Sequence, residues 1–130
     1  MAETTPSAGR IGWIDLPVPD AVAIRDFYRE VAGWTASAVN MGGYDDYCMN
    51  PPGGEQPVAG ICHARGSNTG LPPVWLIYIT VADLDDSIRR TVERGGKVRR
   101  PPEDMGSMGR FCVIEDPAGA VAALFEPQKG

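Results

Sequence analysis

Leu16-Pro-Val-Pro-Asp20 and Ile79-Thr-Val-Ala-Asp83 are the two stretches whose reading decides the fold. Each closes an apolar, strand-like run with an aspartate, and each aspartate opens a helical pattern. The first run covers Ile11 to Val18. Asp20 is then a good N-cap, because its carboxylate accepts hydrogen bonds from the orphan backbone N–H groups of a first helical turn. Ile24, Phe27, Tyr28 and Val31 follow at helical spacing and predict one apolar face. Gly33 predicts the helix stop. The second run covers Val74 to Val81, Asp83 caps, and Leu84, Ile88 and Val92 predict the buried face of a second helix. Asp85–Arg89 and Asp86–Arg90 are spaced as i,i+4 pairs on its wet face, and Gly95-Gly96 ends it.

After each helix come three short strand candidates. In the first half they lie around Trp34–Val39, Tyr44–Met49 and Pro57–His63. Gly42-Gly43 and Pro51-Pro-Gly-Gly54 supply the turns between them. In the second half they are Lys97–Arg100, Arg110–Glu115 and Ala120–Glu126. Asp20 and Asp83 are 63 positions apart and Cys48 and Cys112 are 64 apart, which reads as an internal repeat. Strand-helix alternation alone would suit a parallel sheet. Three consecutive strands joined by tight turns instead predict antiparallel hairpins and an α+β fold of two tandem βαβββ modules. The expected organisation is a tail over 1–9 and one domain over 10–127. Within it, module one spans 10–65, a turn-rich linker 66–73 and module two 74–127.

Composition limits what such a domain does. A chain of 130 residues can bury a real core, and no apolar run approaches a membrane span. The first ten residues lack the apolar segment of a signal peptide. A formal net charge of −5 argues against a nucleic-acid backbone as partner. Three cysteines without CxxC spacing predict neither a disulfide framework nor a zinc knuckle, and make a reducing cytoplasm the default. The single histidine, His63, excludes any site that needs two histidines from one chain. Neither half holds a phosphate-cradling glycine loop opening a helix, nor a GxSxG elbow.

Leu16-Pro-Val-Pro-Asp20, with Phe27-Tyr28 and Gly33-Trp34, resembles the opening of modules of the vicinal oxygen chelate superfamily. That superfamily contains glyoxalases, bleomycin-resistance proteins and extradiol dioxygenases. Gly109-Arg110, Asp116-Pro-Ala-Gly-Ala120 and the strand end Leu124-Phe-Glu-Pro127 resemble its closing elements. The resemblance covers Gly12 to Pro127 and implies a curved mixed sheet around a cleft lined by the first and last strands of each module. It also implies pairing as homodimers. In metal-dependent members one His or Glu from each of those four strands holds a divalent ion, which chelates vicinal oxygens of the substrate. Carried onto this chain, the four positions are Trp13, Leu76, Ala123 and either Ala59 or Gly60. None of these side chains is a ligand. The expectation is therefore a pocket with no metal or other cofactor, with a displaced site from Asp15, His63 and Glu126 as the alternative.

Strand alternation then nominates a ligand-binding set. Ile14, Leu16 and Val18 should pack on the helix, leaving Trp13, Asp15 and Pro17 on the cleft face. Leu76, Tyr78 and Thr80 should share that face in the second module, and Trp13 and Phe125 could sandwich a flat ligand. His63, on cleft parity if Ala59 is, suits a general base or a partly solvated strand end, and both readings stand at this point. Asp15 suits an anchor for a cationic or hydroxyl group. Tyr44, Asp45, Asp46 and Tyr47 read as a pocket rim or a solvated edge. Met105 and Met108 read as adaptable loop contacts or loop anchors. Arg110 reads as a structural ion pair or an anion site. Cys48 and Cys112, taken as equivalent strand positions, read as small buried hydrophobes rather than nucleophiles. Three functions follow from this set. The leading one is a metal-free small-molecule binding protein. The second is a lyase, isomerase or dioxygenase resembling glyoxalases, working through unexpected ligands or a His63–Asp15 acid/base pair. The third is a regulatory module with a vestigial cleft.

Overall fold

Asp20 and Asp83 do what their positions predict. In the computed structural model, which describes residues 8–54 and 56–128, Asp20 Oδ1 accepts from the Ala23 N–H at 3.1 Å. Asp83 Oδ1 accepts from the Asp86 N–H at 3.1 Å. The helices they cap are α1 (Ala21–Ala32) and α2 (Leu84–Glu93). Gly33 ends α1 in the left-handed conformation (φ 74°), which a side-chain-free residue adopts without penalty.

The strands are β1 (Ile11–Val18), β2 (Thr35–Asn40), β3 (Asp45–Asn50), β4 (Ala59–His63), β5 (Leu76–Thr80), β6 (Lys97–Asp104), β7 (Gly109–Glu115) and β8 (Val121–Pro127). The order βαβββ therefore occurs twice, as the repeat predicts. In the first half the spatial order is β2-β3-β4-β1, with β2–β3 and β3–β4 antiparallel and β4–β1 parallel. In the second it is β6-β7-β8-β5, with the same pairing senses. Each half is thus a mixed four-stranded sheet with one helix, an α+β module. β6 runs four residues beyond the expected strand, with register shifts around Arg100.

The chain divides into two compact units, residues 13–75 and residues 8–12 with 76–128. Residues 1–7 of the expected tail lie outside the described residues. Gly9 and Arg10 bond to the second unit, Gly9 N–H donating to Thr80 O at 2.7 Å and Arg10 O accepting from Thr80 N–H at 2.9 Å.

Among the described residues a core packs against the helix of each unit. In the first, Leu16, Val18, Met49, Tyr47 and Ile61 meet Ala21, Ile24 and Tyr28 of α1. In the second, Cys112, Leu124, Ile79 and Ile114 meet Leu84 and Ile88 of α2. Both helix stripes are shorter than their apolar patterns. Phe27, Val31 and Val92, expected inside, are exposed, so the buried stripe ends at Tyr28 in α1 and at Ile88 in α2. The wet face of α2 also differs. Arg89 and Arg90 both pair with Asp86, and Arg89 reaches on to Glu93. Asp85 leaves its helix to meet Arg110. Among the described residues no helix is long and apolar enough to cross a membrane.

Candidate functional site

Strand register decides which side chains meet. In the parallel pair of the first unit, Leu16 lies beside Ile61 and Val18 beside His63, while Asp15 lies beside Gly60 and Pro17 beside Cys62. Leu16, Val18 and Ile61 pack against α1. The opposite face therefore carries Trp13, Asp15, Gly60 and Cys62. Cys48, which pairs with Gly60, and its same-face neighbour Asp46 join them.

On that face Trp13 Nε1–H donates to Asp15 Oδ1 at 2.6 Å. The carboxylate lies over Gly60, where a Cβ would overlap Asp15 Oδ1 and press on the Trp13 ring. Glycine at 60 is thus the space that lets an aspartate lean over β4. Asp46 Oδ1 accepts from the His63 backbone N–H at 2.9 Å. Burial, then the charges of Asp15 and Asp46, push the Cys62 thiol far above its ordinary pKa. Burial, then Asp15, raises that of Cys48. Both sulfurs are protonated at neutral pH, so neither is a nucleophile of the activated kind.

The corresponding face of the second unit is different in kind. Tyr78 pairs with Ala123 and Thr80 with Phe125. Phe125 in turn pairs with Phe111. Tyr78 and Phe111 have ring centroids 5.9 Å apart. Leu76, Tyr78 and Thr80 are buried. This face is apolar and aromatic, and it carries Leu76, Tyr78 and Phe125.

Three expectations are corrected by the register. His63 stands on the helix side with Ile61, opposite in facing to Asp15. A His63–Asp15 acid/base pair is therefore not assembled. The His63 ring meets the Ala21 N–H through Nδ1 at 3.4 Å and the Tyr44 ring edge-on at 5.5 Å. Glu126 also faces its helix, accepting from the Leu84 N–H at 2.9 Å and from Arg110 Nη2 at 3.0 Å. The displaced set Asp15, His63 and Glu126 thus has two members that face the helix of their own unit. Cys48 and Cys112 are not equivalent either. Cys112 packs on α2 while Cys48 lies on the face away from α1. The constant offset is 63, which matches Cys112 to Met49. A one-residue slip reverses the face of every side chain, which is why the 64-residue spacing misleads.

Other candidates are placed as follows. The Tyr44–Tyr47 cluster is divided by alternation. Tyr47 is buried in the core with the Arg25 guanidinium 4.8 Å over its ring, Asp46 is buried on the other face, and Asp45 is exposed. Tyr44 carries the Arg65 guanidinium at 4.1 Å. Arg110 is an ion-pair residue, bound to Asp85 at 2.9 Å and to Glu126. Met105 is half-buried and Met108 exposed beside a short 3₁₀ turn.

Pattern reading left Gly60 open beside Ala59, and missed Cys62 and an aromatic group on the helix side of the first unit. Tyr28 and Trp34 both meet Trp75, at 5.3 and 6.0 Å between centroids. Tyr28 and Trp75, with Phe27, Ile24, Val18 and Pro73, border a shallow recess of about 310 Å³. The offset of 63 from Ala123 singles out Gly60, because both are small residues at one repeat position. Nothing local in the sequence brings Trp75 to Tyr28.

The family's metal positions can now be judged on geometry. The register selects Gly60 rather than Ala59 as the fourth position. Trp13 and Gly60 share one face in the first unit, and Leu76 and Ala123 share one face in the second. Divalent ions need converging oxygen, nitrogen or thiolate donors. Indole, hydrogen and two alkyl side chains do not fit that requirement. Among the described residues no three His, Cys, Asp or Glu side chains are grouped to hold a metal ion.

A repeated βαβββ unit whose helix-free faces carry the candidate residues is the class to which this fold belongs. The chain is a member of the Glyoxalase/Bleomycin resistance protein/Dioxygenase superfamily, whose family model matches residues 10–124. It is 34% identical to a Mycobacterium tuberculosis protein named as a glyoxylase, CFP32, over 93% of this chain and 47% of that protein. It is 32% identical to the anthracycline biosynthesis protein DnrV of Streptomyces peucetius, over 90% of this chain and 46% of that one. The chain thus spans about half the length of these relatives. A Streptomyces coelicolor methylmalonyl-CoA epimerase variant in complex with 2-nitronate-propionyl-CoA has a similar fold. Its TM-score is 0.58 at 19% identity, over 93% of this chain and 99% of that one.

Proposed function

We propose that this chain binds a small organic molecule on the helix-free sheet face of its first unit, with Asp15 as its polar anchor and without the family's chelated metal. The observation that carries the reading is the Trp13–Asp15–Gly60 arrangement. Where the family's metal positions lie in the first half, an indole N–H holds a carboxylate over a glycine. A carboxylate accepts from several donors at once, so it suits a ligand hydroxyl or ammonium. The half-buried Trp13 ring beside it provides an aromatic face for the body of an apolar or planar ligand. The chain's own residues here orient and enclose a ligand, and no step of chemistry is assigned to them. The expected setting is a reducing cytoplasm, in keeping with three free thiols.

Two ligand types are suggested by what similar proteins are named for: aromatic polyketides of the anthracycline kind, and acyl-CoA esters. The test is a thermal-shift and calorimetric screen of both classes, repeated with Asp15→Asn and Asp15→Ala. The account expects a saturable ligand whose affinity drops at least about tenfold in both variants, the weight of one lost charged hydrogen bond. Equal binding by wild type and Asp15→Ala would contradict it.

A glyoxalase-like enzyme is the second reading, favoured by the name of the mycobacterial relative. Asp15 would then be the base, and turnover of a thiol adduct or 2-oxo aldehyde by metal-stripped protein would select this reading over simple binding.

A further inference from the structure

Residues 13–75 hold seven of the chain's seventeen carboxylate side chains and three of its twelve cations, so this unit carries most of the net negative charge. The three cations are engaged away from the face that carries Asp15. Arg25 lies over the ring of Tyr47, a core residue beneath α1, and pairs with Asp26. Arg29 stands on α1 and reaches the same aspartate. Arg65 lies over Tyr44, whose ring meets the helix-side His63. The helix-free face carries two carboxylates, Asp15 and Asp46, and among its described residues no Arg or Lys. Behind burial itself, both carboxylates act on the Cys62 thiol, so the field along this face has one sign. Over Gly60 a second feature joins the first. The point where a Cβ would stand meets the Asp15 carboxylate and lies 3.4 Å from the Trp13 ring. A carboxylate beside an aromatic ring suits an ammonium group, since the carboxylate supplies the opposite charge and the π face a further attraction.

We infer that the ligand of this face is an organic cation, an aromatic amine carrying an ammonium group, and that Asp46 joins Asp15 in selecting it. The inference rests on the ligand reading above and sharpens it. It also separates the two ligand types named there. An acyl-CoA ester brings phosphates, which are held by Arg, Lys or a helix N-terminus. The face offers no such cation, and the α1 N-terminus is occupied on the other side by Asp20 and His63. An amine on a flat body meets the carboxylates with its ammonium and the Trp13 ring with its body. The two aspartates divide the work. Asp46 is buried and held by the His63 backbone N–H, so it acts as a fixed charge, while Asp15 makes the contact.

The test is calorimetric titration of the whole chain with four probes: naphthylethylammonium, the matching alcohol, the matching carboxylate, and acetyl-CoA. The ammonium should bind at least about tenfold more tightly than the alcohol, with an advantage that shrinks as salt is added. The carboxylate and acetyl-CoA should bind more weakly than the alcohol. Asp46→Asn keeps an oxygen for the His63 N–H and removes the charge, so the ammonium-to-alcohol ratio should fall by about threefold. The wild-type comparison needs no variant, so misfolding of Asp46→Asn would not spare the inference. An alcohol, carboxylate or acetyl-CoA that binds as tightly as the ammonium, and more weakly to Asp15→Ala, would overturn charge selection and leave the ligand reading standing. A ratio unmoved by Asp46→Asn would remove Asp46 from the selection. Binding of none of the four would overturn both readings together.

Discussion

The two halves of this chain are built to one plan and filled with different chemistry. At the offset of 63, Ala21 matches Leu84 and His63 matches Glu126. In both halves the last strand ends in a side chain that meets the first free N–H of the helix. The second half does this with a carboxylate locked to Arg110, which also holds Asp85. The first half uses an imidazole ring contact at longer range, backed by Tyr44 and Arg65. On the opposite faces the contrast reverses. Asp15 and Gly60 of the first half match Tyr78 and Ala123 of the second, so one half has a carboxylate where the other has an aromatic ring. Topology tolerates these exchanges because it depends on caps, turns and the alternation of apolar residues. What a face can bind depends on single positions.

The largest expected effect tests the stronger helix anchor. Glu126→Ala removes the acceptor for the Leu84 N–H and one partner of Arg110, and should destabilise the fold by about 3 kcal/mol in denaturant titrations. His63→Ala, at the matching position, should cost about 1 kcal/mol or less. Equal losses would break the comparison.

Next comes Gly60→Ala. The new Cβ collides with the Asp15 carboxylate, so the variant should lose about 2 kcal/mol. Adding Asp15→Ala should restore part of that loss, because the collision is then gone. A strictly additive double variant would show that the Asp15–Gly60 fit is not what the glycine serves.

A smaller effect follows from pH. Arg110, by hydrogen bond and charge, lowers the Asp85 pKa below its ordinary value. A depressed folded-state pKa contributes stability above the unfolded value of about 3.9 and loses it as pH falls through the folded value. The difference in unfolding free energy between wild type and Asp85→Asn should thus be constant near neutrality and vanish in acid. A difference that grows in acid would have the wrong sign.

The smallest effect is kinetic. Burial pushes the Cys112 thiol up to about 11. Cys62 is pushed higher still, and Cys48, the least buried, is raised least. Alkylation of native protein near pH 8 should label Cys48 first and leave Cys62 and Cys112 until unfolding.

Much of this molecule is legible in its sequence. Asp20, Gly33 and Asp83 mark their helix ends by local hydrogen bonding and backbone freedom, which need no tertiary information. The alternation in Ile11–Val18 places Trp13 and Asp15 on one face for the same reason. The site is less legible wherever one residue of register matters. By alternation alone β4 reads equally well with Ala59 or Gly60 turned from the helix, and the repeat offset together with pairing to Asp15 and Cys48 decides it. That choice carries His63 to the helix side. Glu126 looks like a ligand at a strand end until the α2 N-terminus, far off in sequence, takes its carboxylate. Contacts such as Trp75 with Tyr28 depend on the path of the linker, which composition does not encode.

The central proposal is a ligand anchored at Asp15 without the family's chelated metal. Its most direct test is elemental mass spectrometry on untagged protein, dialysed in turn against Ni, Co, Zn, Mn and Fe(II) and then washed. The account predicts no metal above trace under any condition. One metal ion per chain surviving the wash would contradict it and restore a chelate site.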